Sequence, residues 1–151
     1  MKSRIKSVGA VVALTGMMVL AMASGAKADG APYCSNATLK GQYATTITGT
    51  VTVSGVLVPF ARLDIFTADG KGNISGTGTD VVDGSVSTDV PFTATYTINS
   101  DCSGTWSTPS GVTVNAAIKQ DGSEVQIIFT SVYSDLSPAT ITGLAKNLAS
   151  K

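Results

Sequence analysis

The alternation of apolar and polar residues is clearest between positions 86 and 98. A period of two residues places successive side chains on opposite faces of a β-strand. The pattern therefore predicts a strand with one face turned to a core. The inward set is Val86, Val90, Phe92, Ala94, Tyr96 and Ile98. The outward set is Ser87, Asp89, Pro91, Thr93, Thr95 and Thr97, in which Pro91 suits an edge or bulge position.

Seven other segments rich in β-branched residues predict further strands. They begin near residues 43, 56, 73, 103, 112, 125 and 139. Turn residues, mainly Gly, Asn, Asp and Pro, separate them at 54–55, 69–72, 83–84, 99–101, 109–111, 120–122 and 136–138. The chain outside the first 28 residues contains no pattern of helical period ten or more residues long. The sequence therefore predicts an all-β domain of eight consecutive strands.

The second and third predicted strands carry less clear patterns. In the second, Leu57, Ala61, Leu63 and Ile65 share one face, and Val58, Phe60, Arg62, Asp64 and Phe66 share the other. Both faces are bulky, so alternation alone leaves the inward face open. The third strand contains Gly76 and Gly78, which indicate strong bending or a close backbone approach.

Eight strands joined by short turns favour an antiparallel up-and-down β-barrel. Such a barrel removes every open strand edge, and eight strands enclose an interior that side chains just fill or that holds one small ligand. A β-sandwich is the alternative, but its Greek-key crossovers need a long connection, which the sequence lacks.

The N-terminal segment 1–28 has the features of a secretory signal peptide. Basic residues Lys2, Arg4 and Lys6 precede an apolar run from Val8 to Ala23, and Ala26-Lys27-Ala28 forms a cleavage site. The run is short for a membrane span. We therefore expect a single domain, residues 29–151, that is secreted or periplasmic.

Composition after position 28 excludes several classes of function. Residues 29–151 carry six Lys or Arg against ten Asp or Glu, a formal charge of 6 − 10 = −4. This balance does not favour binding to nucleic acid or to an anionic membrane. The chain contains no histidine, which excludes Ser-His-Asp and Cys-His catalysis and His-ligated zinc. We assign no catalytic residue, no metal and no cofactor.

Cys34 and Cys102 are the two cysteines of the chain. In an exported protein they are expected to form one disulfide. The alternative is a free nucleophilic thiol, which normally needs a neighbouring base such as histidine. The absence of histidine favours the disulfide.

Two groups of residues are candidates for contact with a ligand. Arg62 and Asp64 lie on one strand face about 7 Å apart, and form either an exposed or rim ion pair or a polar pair in the barrel mouth that orients a ligand carboxylate. Six aromatic side chains are expected to point inward, and they form either a packed core or the lining of a site for a small apolar molecule. They are Tyr43, Phe60, Phe92, Tyr96, Trp106 and Phe129.

Three motifs resemble those of a group of small secreted bacterial proteins without an established activity. They are CSNATLKGQY at 34–43, DGKGN at 69–73 and YTINSDCSGT at 96–105. In outline the eight-strand meander is also similar to calycin-like barrels, including lipocalins and the allene oxide cyclase type. The lipocalin Gly-x-Trp motif is absent, because Gly41-Gln42-Tyr43 stands in its place. The resemblance implies an architecture and no specific activity.

Three functions remain open from the sequence. The first is a secreted, disulfide-clasped barrel that binds a small apolar molecule. The second is a cofactor-free isomerase or cyclase, in which Arg62, Asp64 or Tyr96 steers a reactive substrate. The third is a structural or adhesive envelope protein acting through its Thr-rich exterior.

Overall fold

The computed structural model describes residues 33–133, 136–137 and 139–149. The expected signal peptide at 1–28 lies outside these residues and stays a prediction. A short 3-10 helix, Asn36–Thr38, precedes the strands. The strands are β1 Lys40–Val53, β2 Val56–Asp69, β3 Asn73–Val82, β4 Ser85–Ile98, β5 Ser103–Ser107, β6 Thr113–Ile118, β7 Glu124–Ser131 and β8 Ala139–Asn147.

The eight strands form a closed antiparallel barrel in chain order. Each strand pairs with the next, and β8 returns to pair with β1 from Tyr43 opposite Asn147 to Val51 opposite Ala139. The up-and-down barrel predicted from the sequence is confirmed, and the sandwich alternative is wrong. In the described part of the chain no helix has the length and hydropathy needed to cross a membrane.

Inward-facing side chains of all eight strands form one core. The structure decides the orientation of β2: Val58, Asp64 and Phe66 are buried, whereas Leu57 and Leu63 on the other face are exposed. The face that contains Arg62 and Asp64 is therefore the interior one, which alternation alone had left open.

A β-bulge in β4 corrects the prediction for Val86. Gly78 on β3 pairs with Val90, but two residues along β3 Asp80 pairs with Ser87, so β4 contains one extra residue between these points. Asp89 lies between these two pairs on β4, with a φ of 53°. The extra residue reverses the alternation beyond it. Val86, predicted to face the core, is consequently 62% exposed.

The N-terminal segment, residues 34–39, forms a plug that closes one end of the barrel. The Tyr96 hydroxyl donates to the carbonyl oxygen of Leu39 at 2.7 Å, and the Ile98 amide donates to Asn36 Oδ1 at 2.8 Å. The disulfide joins Cys34 of this segment to Cys102, with the two Cα atoms 5.0 Å apart. The predicted disulfide is thus present. The opposite end is formed by the β1–β2, β3–β4, β5–β6 and β7–β8 connections, and Val132 and Leu136 of the last of these pack against the core.

Candidate functional site

A mainly apolar cavity of about 170 Å³ occupies the barrel half away from the N-terminal plug. Val82, Val112 and Leu136 line it near the end of the barrel that the plug does not close. Engineered apolar cavities of about 150 Å³ bind benzene. The interior therefore has room for one aromatic ring or a group of similar size.

The structure brings six of the eight predicted ligand-lining residues together on this cavity. They are Phe60, Arg62, Asp64, Phe92, Trp106 and Phe129. Phe66, which the sequence analysis did not select, lies among them and meets Phe92 and Trp106 edge to face, with ring centroids 6.5 and 5.7 Å away. These rings form an aromatic wall with defined geometry.

Tyr43 and Tyr96 lie apart from this lining, at the closed end. The Tyr43 hydroxyl donates to the carbonyl oxygen of Gly122 at 2.7 Å, and its ring stacks on Phe66 at 5.2 Å. Burial raises the pKa of both phenols, so each remains a protonated donor at neutral pH. The Tyr96 bonds to the carbonyl oxygens of Asn36 and Leu39 fasten the N-terminal segment to the barrel, whereas the Tyr43 bond ties β1 to the β6–β7 turn.

Arg62 and Asp64 form part of a three-residue charged cluster on the cavity wall. Arg62 Nε donates to Asp64 Oδ1 at 2.5 Å, and its Nη1 donates to the two oxygens of Asp80 at 2.8 and 3.0 Å. The guanidinium also lies over the Phe92 ring, 5.1 Å from its centroid. The side chains of Arg62 and Asp64 are 16% and 7% exposed, so they do not form an exposed ion pair.

Asp80 is a site residue that the sequence analysis missed. The β2–β3 register places Asp80 opposite Arg62 and Gly78 opposite Asp64. The inward phase of β3, which places Gly76, Gly78 and Asp80 on one face, was the available signal. Alternation does not give the cross-strand register, and so did not reveal the contact.

Gly78 makes room for the cluster. A Cβ atom at this position would collide with Asp64 Oδ1 and with the Arg62 guanidinium. The glycines of the third strand thus serve a close approach, one of the two interpretations that the sequence suggested. Here the approaching atoms are the charged side chains of β2.

The charged cluster has more negative than positive groups, and it is largely shielded from water. Two carboxylates face one guanidinium, which gives a formal charge of −1 when both are ionised. Burial raises the pKa of the Asp64 carboxyl above its ordinary value, and the adjacent Arg62 guanidinium offsets part of the rise.

Two polar atoms of the cavity-lining residues lack partners among the residues that the structure describes. They are Thr45 Oγ1 and Trp106 Nε1, both fully buried. Thr45 lies on β1 directly opposite Asp64. Thr45 was not predicted as a site residue, although it carries a hydroxyl among the apolar inward positions of the first strand. Unpartnered buried polar atoms cost free energy, which a polar ligand group can recover.

Within the described ranges, no three His, Cys, Asp or Glu side chains gather as metal ligands would. No family model, no curated protein and no solved structure matches this chain. The resemblance to small secreted bacterial proteins and to calycin-like barrels stays a prediction.

Proposed function

We propose that this protein is an exported barrel that binds a small, largely apolar molecule in its interior. The observation that carries the proposal is the aromatic-walled cavity of about 170 Å³, with a charged cluster and unpartnered polar atoms on its wall. Ligand sites are typically concave and apolar, with a few polar groups that fix the orientation of the ligand.

Export forms part of this proposal. The expected signal peptide supports it, and the disulfide between Cys34 and Cys102 is compatible with an oxidising compartment such as the periplasm or the extracellular space.

Native mass spectrometry of the protein purified from its own host tests whether the cavity carries a ligand. We expect a bound small molecule that is released on denaturation. A parallel titration with one-ring probes of positive, neutral and negative charge, followed by calorimetry, tests the capacity of the recombinant protein. An absence of any adduct together with no binding across the panel would refute the proposal.

A variant that fills the cavity locates the binding site. Ala94 lies on the cavity wall, and Ala94→Leu adds about three methylene-sized groups there. We expect probe binding to be lost while the barrel stays folded. Ala61→Leu, on the exposed face of β2, is the matched control and should bind as the unchanged protein does. Retained binding in Ala94→Leu would place the site elsewhere.

A cofactor-free isomerase or cyclase is a second candidate, and the buried Asp64 carboxyl favours it. A carboxyl with a raised pKa beside a bound substrate can transfer a proton. Tyr96, one of the residues suggested for this role, is hydrogen-bonded to the plug. If the ligand isolated from the host is converted by the protein, and Asp64→Asn binds it without converting it, the enzyme candidate is supported.

A further inference from the structure

We propose that the ligand carries a positive charge: a small organic ammonium ion on an apolar body about one ring in size. This inference rests on the proposed function, because it names the chemical class of the molecule that the cavity takes. Four features of the cavity wall support it.

The charged cluster is built to attract a cation. Asp64 and Asp80 share one counterion, Arg62. Asp64 is 5% exposed, so its negative charge has little access to water. A cation beside it supplies the missing positive charge, which an apolar neutral ligand does not.

The same geometry disfavours an anion. The Arg62 Nε and Nη1 groups already donate to carboxylates, and the guanidinium face packs over Phe92. An incoming carboxylate would meet two carboxylates, and a guanidinium that already donates to both of them from Nε and Nη1. A ligand carboxylate oriented by Arg62 and Asp64 was one expectation from the sequence, but this arrangement favours the opposite charge.

The aromatic wall suits an organic cation. Phe92, Phe60, Trp106 and Phe129 line the cavity together with the acidic cluster. Aromatic faces attract ammonium groups through the ring quadrupole, and they also pack against an apolar body. A hydrated metal ion would gain little from these rings, whereas an alkyl or aryl ammonium gains from both interactions.

Thr45 gives an independent indication of a polar ligand group. It is 1% exposed, lines the cavity and has no hydrogen-bond partner for Oγ1 among the described residues. Its position opposite Asp64 in the β1–β2 register places a hydroxyl acceptor beside the carboxylate. An ammonium group has several N–H donors, and can use both.

The test compares three probes of one shape, benzylammonium, benzyl alcohol and benzoate, by calorimetry with the exported form of the protein at pH 7. We expect benzylammonium to bind tightest, by about tenfold or more over benzyl alcohol, because a charge-assisted hydrogen bond replaces a neutral one. Benzoate should bind weakest. Added salt should weaken benzylammonium binding and leave benzyl alcohol unchanged.

Variants assign the preference to the cluster. Asp64→Asn should abolish the advantage of benzylammonium over benzyl alcohol, and Thr45→Val should weaken benzylammonium binding severalfold. Asp83→Asn removes an exposed carboxylate at the β3–β4 turn and should change nothing. If Asp64→Asn fails to fold, the order of the three probes on the unchanged protein still decides the question.

The outcomes separate this inference from the proposed function. Equal or tighter binding of benzyl alcohol or benzoate overturns the cationic preference and leaves a small-molecule barrel. Binding of none of the three, with no ligand from the host, overturns both. A benzylammonium preference that survives Asp64→Asn shows that the cluster does not produce it, and overturns the site assignment.

Discussion

Thr45 places a hydroxyl on a strand face that is otherwise apolar. Its two neighbours on the inward face of β1, Tyr43 and Ile47, are buried, and Asp64 lies opposite it on β2. A buried hydroxyl without a partner is destabilising, since the unfolded chain hydrates it. Such a residue is more easily understood as serving a ligand than as serving the fold.

Thr45→Val tests that cost. Valine has nearly the shape of threonine, with a methyl group in place of the hydroxyl. We therefore expect the free energy of unfolding of the ligand-free protein to rise by about 1 kcal/mol. Urea denaturation measures the change. Thr46→Val, on the exposed face of the same strand, should leave stability nearly unchanged. A loss of stability in Thr45→Val would mean that the hydroxyl has a partner in the folded protein.

Asp64 makes stability depend on pH in a direction opposite to that of Asp69 and Asp121. Its pKa is raised above the ordinary value of 3.8 by burial. A raised folded-state pKa stabilises the protein fully below the unfolded pKa, and this stabilisation is lost as pH rises through the folded pKa. Asp69 and Asp121, whose pKa values are lowered to about 2 by hydrogen bonds, instead lose their contribution as pH falls.

We predict that Asp64→Asn removes the loss of stability that Asp64 causes above pH 4. The difference in unfolding free energy, Asp64→Asn minus the unchanged protein, should therefore rise between pH 4 and neutrality, as measured by urea titrations at several pH values. Arg62, Asp80 and Tyr133 are the other titratable cavity-lining groups, and both proteins retain them. A flat difference for Asp64→Asn would contradict the raised pKa.

At the scale of a single element, β3 contributes space rather than bulk. Gly76 lies against Phe66, and Gly78 lies against Asp64 and Arg62. These three large side chains of β2 occupy the space that the glycines of β3 leave. The sequence indicated either strong bending or a close backbone approach at these glycines. It could not name the approaching groups, because those depend on the β2–β3 register.

Gly78→Ala should disrupt the charged cluster. The added methyl group would collide with the Asp64 carboxylate and the Arg62 guanidinium. We expect a loss of about 2 kcal/mol in unfolding free energy, within the range for an overpacked interior, and a large loss of probe binding. Thr77→Ala, on the exposed face of β3, is the control. Unchanged probe binding by Gly78→Ala would show that binding does not depend on the position of the charged cluster, and would contradict the prediction.

The β4 bulge shows why local pattern predicts strands better than it predicts faces. Alternation placed Phe92, Ala94 and Tyr96 inward, as the structure has them, since no irregularity intervenes between them. The same alternation failed for Val86, because one extra residue near Asp89 reverses the phase. An aspartate at a positive φ is compatible with the sequence but not required by it.

For the whole molecule, closure of the barrel followed from strand number and short turns, but the state of the interior did not. Aromatic residues at inward positions predicted either a filled or a hollow core. The structure combines the two, with a packed end around Tyr43 and Tyr96 and a cavity beside Phe60, Phe92 and Phe129. This division depends on where the N-terminal segment docks, which the spacing of apolar residues does not encode.

The disulfide fastens that segment and should contribute a large share of the global stability. It joins residues separated by 68 positions, so the loop it closes in the unfolded chain is long, and the entropy model assigns it about 4 kcal/mol. We expect the Cys34→Ser, Cys102→Ser variant to unfold at a clearly lower urea concentration than the oxidised protein. Reductant should lower the midpoint of the unchanged protein similarly and leave that of the variant where it is. Because both cysteines lie at the plugged end, a variant that remains folded should retain probe binding. Equal urea midpoints for the oxidised protein and the variant would contradict the prediction. They would show that hydrogen bonds such as that from Tyr96 to Leu39 suffice to hold the plug.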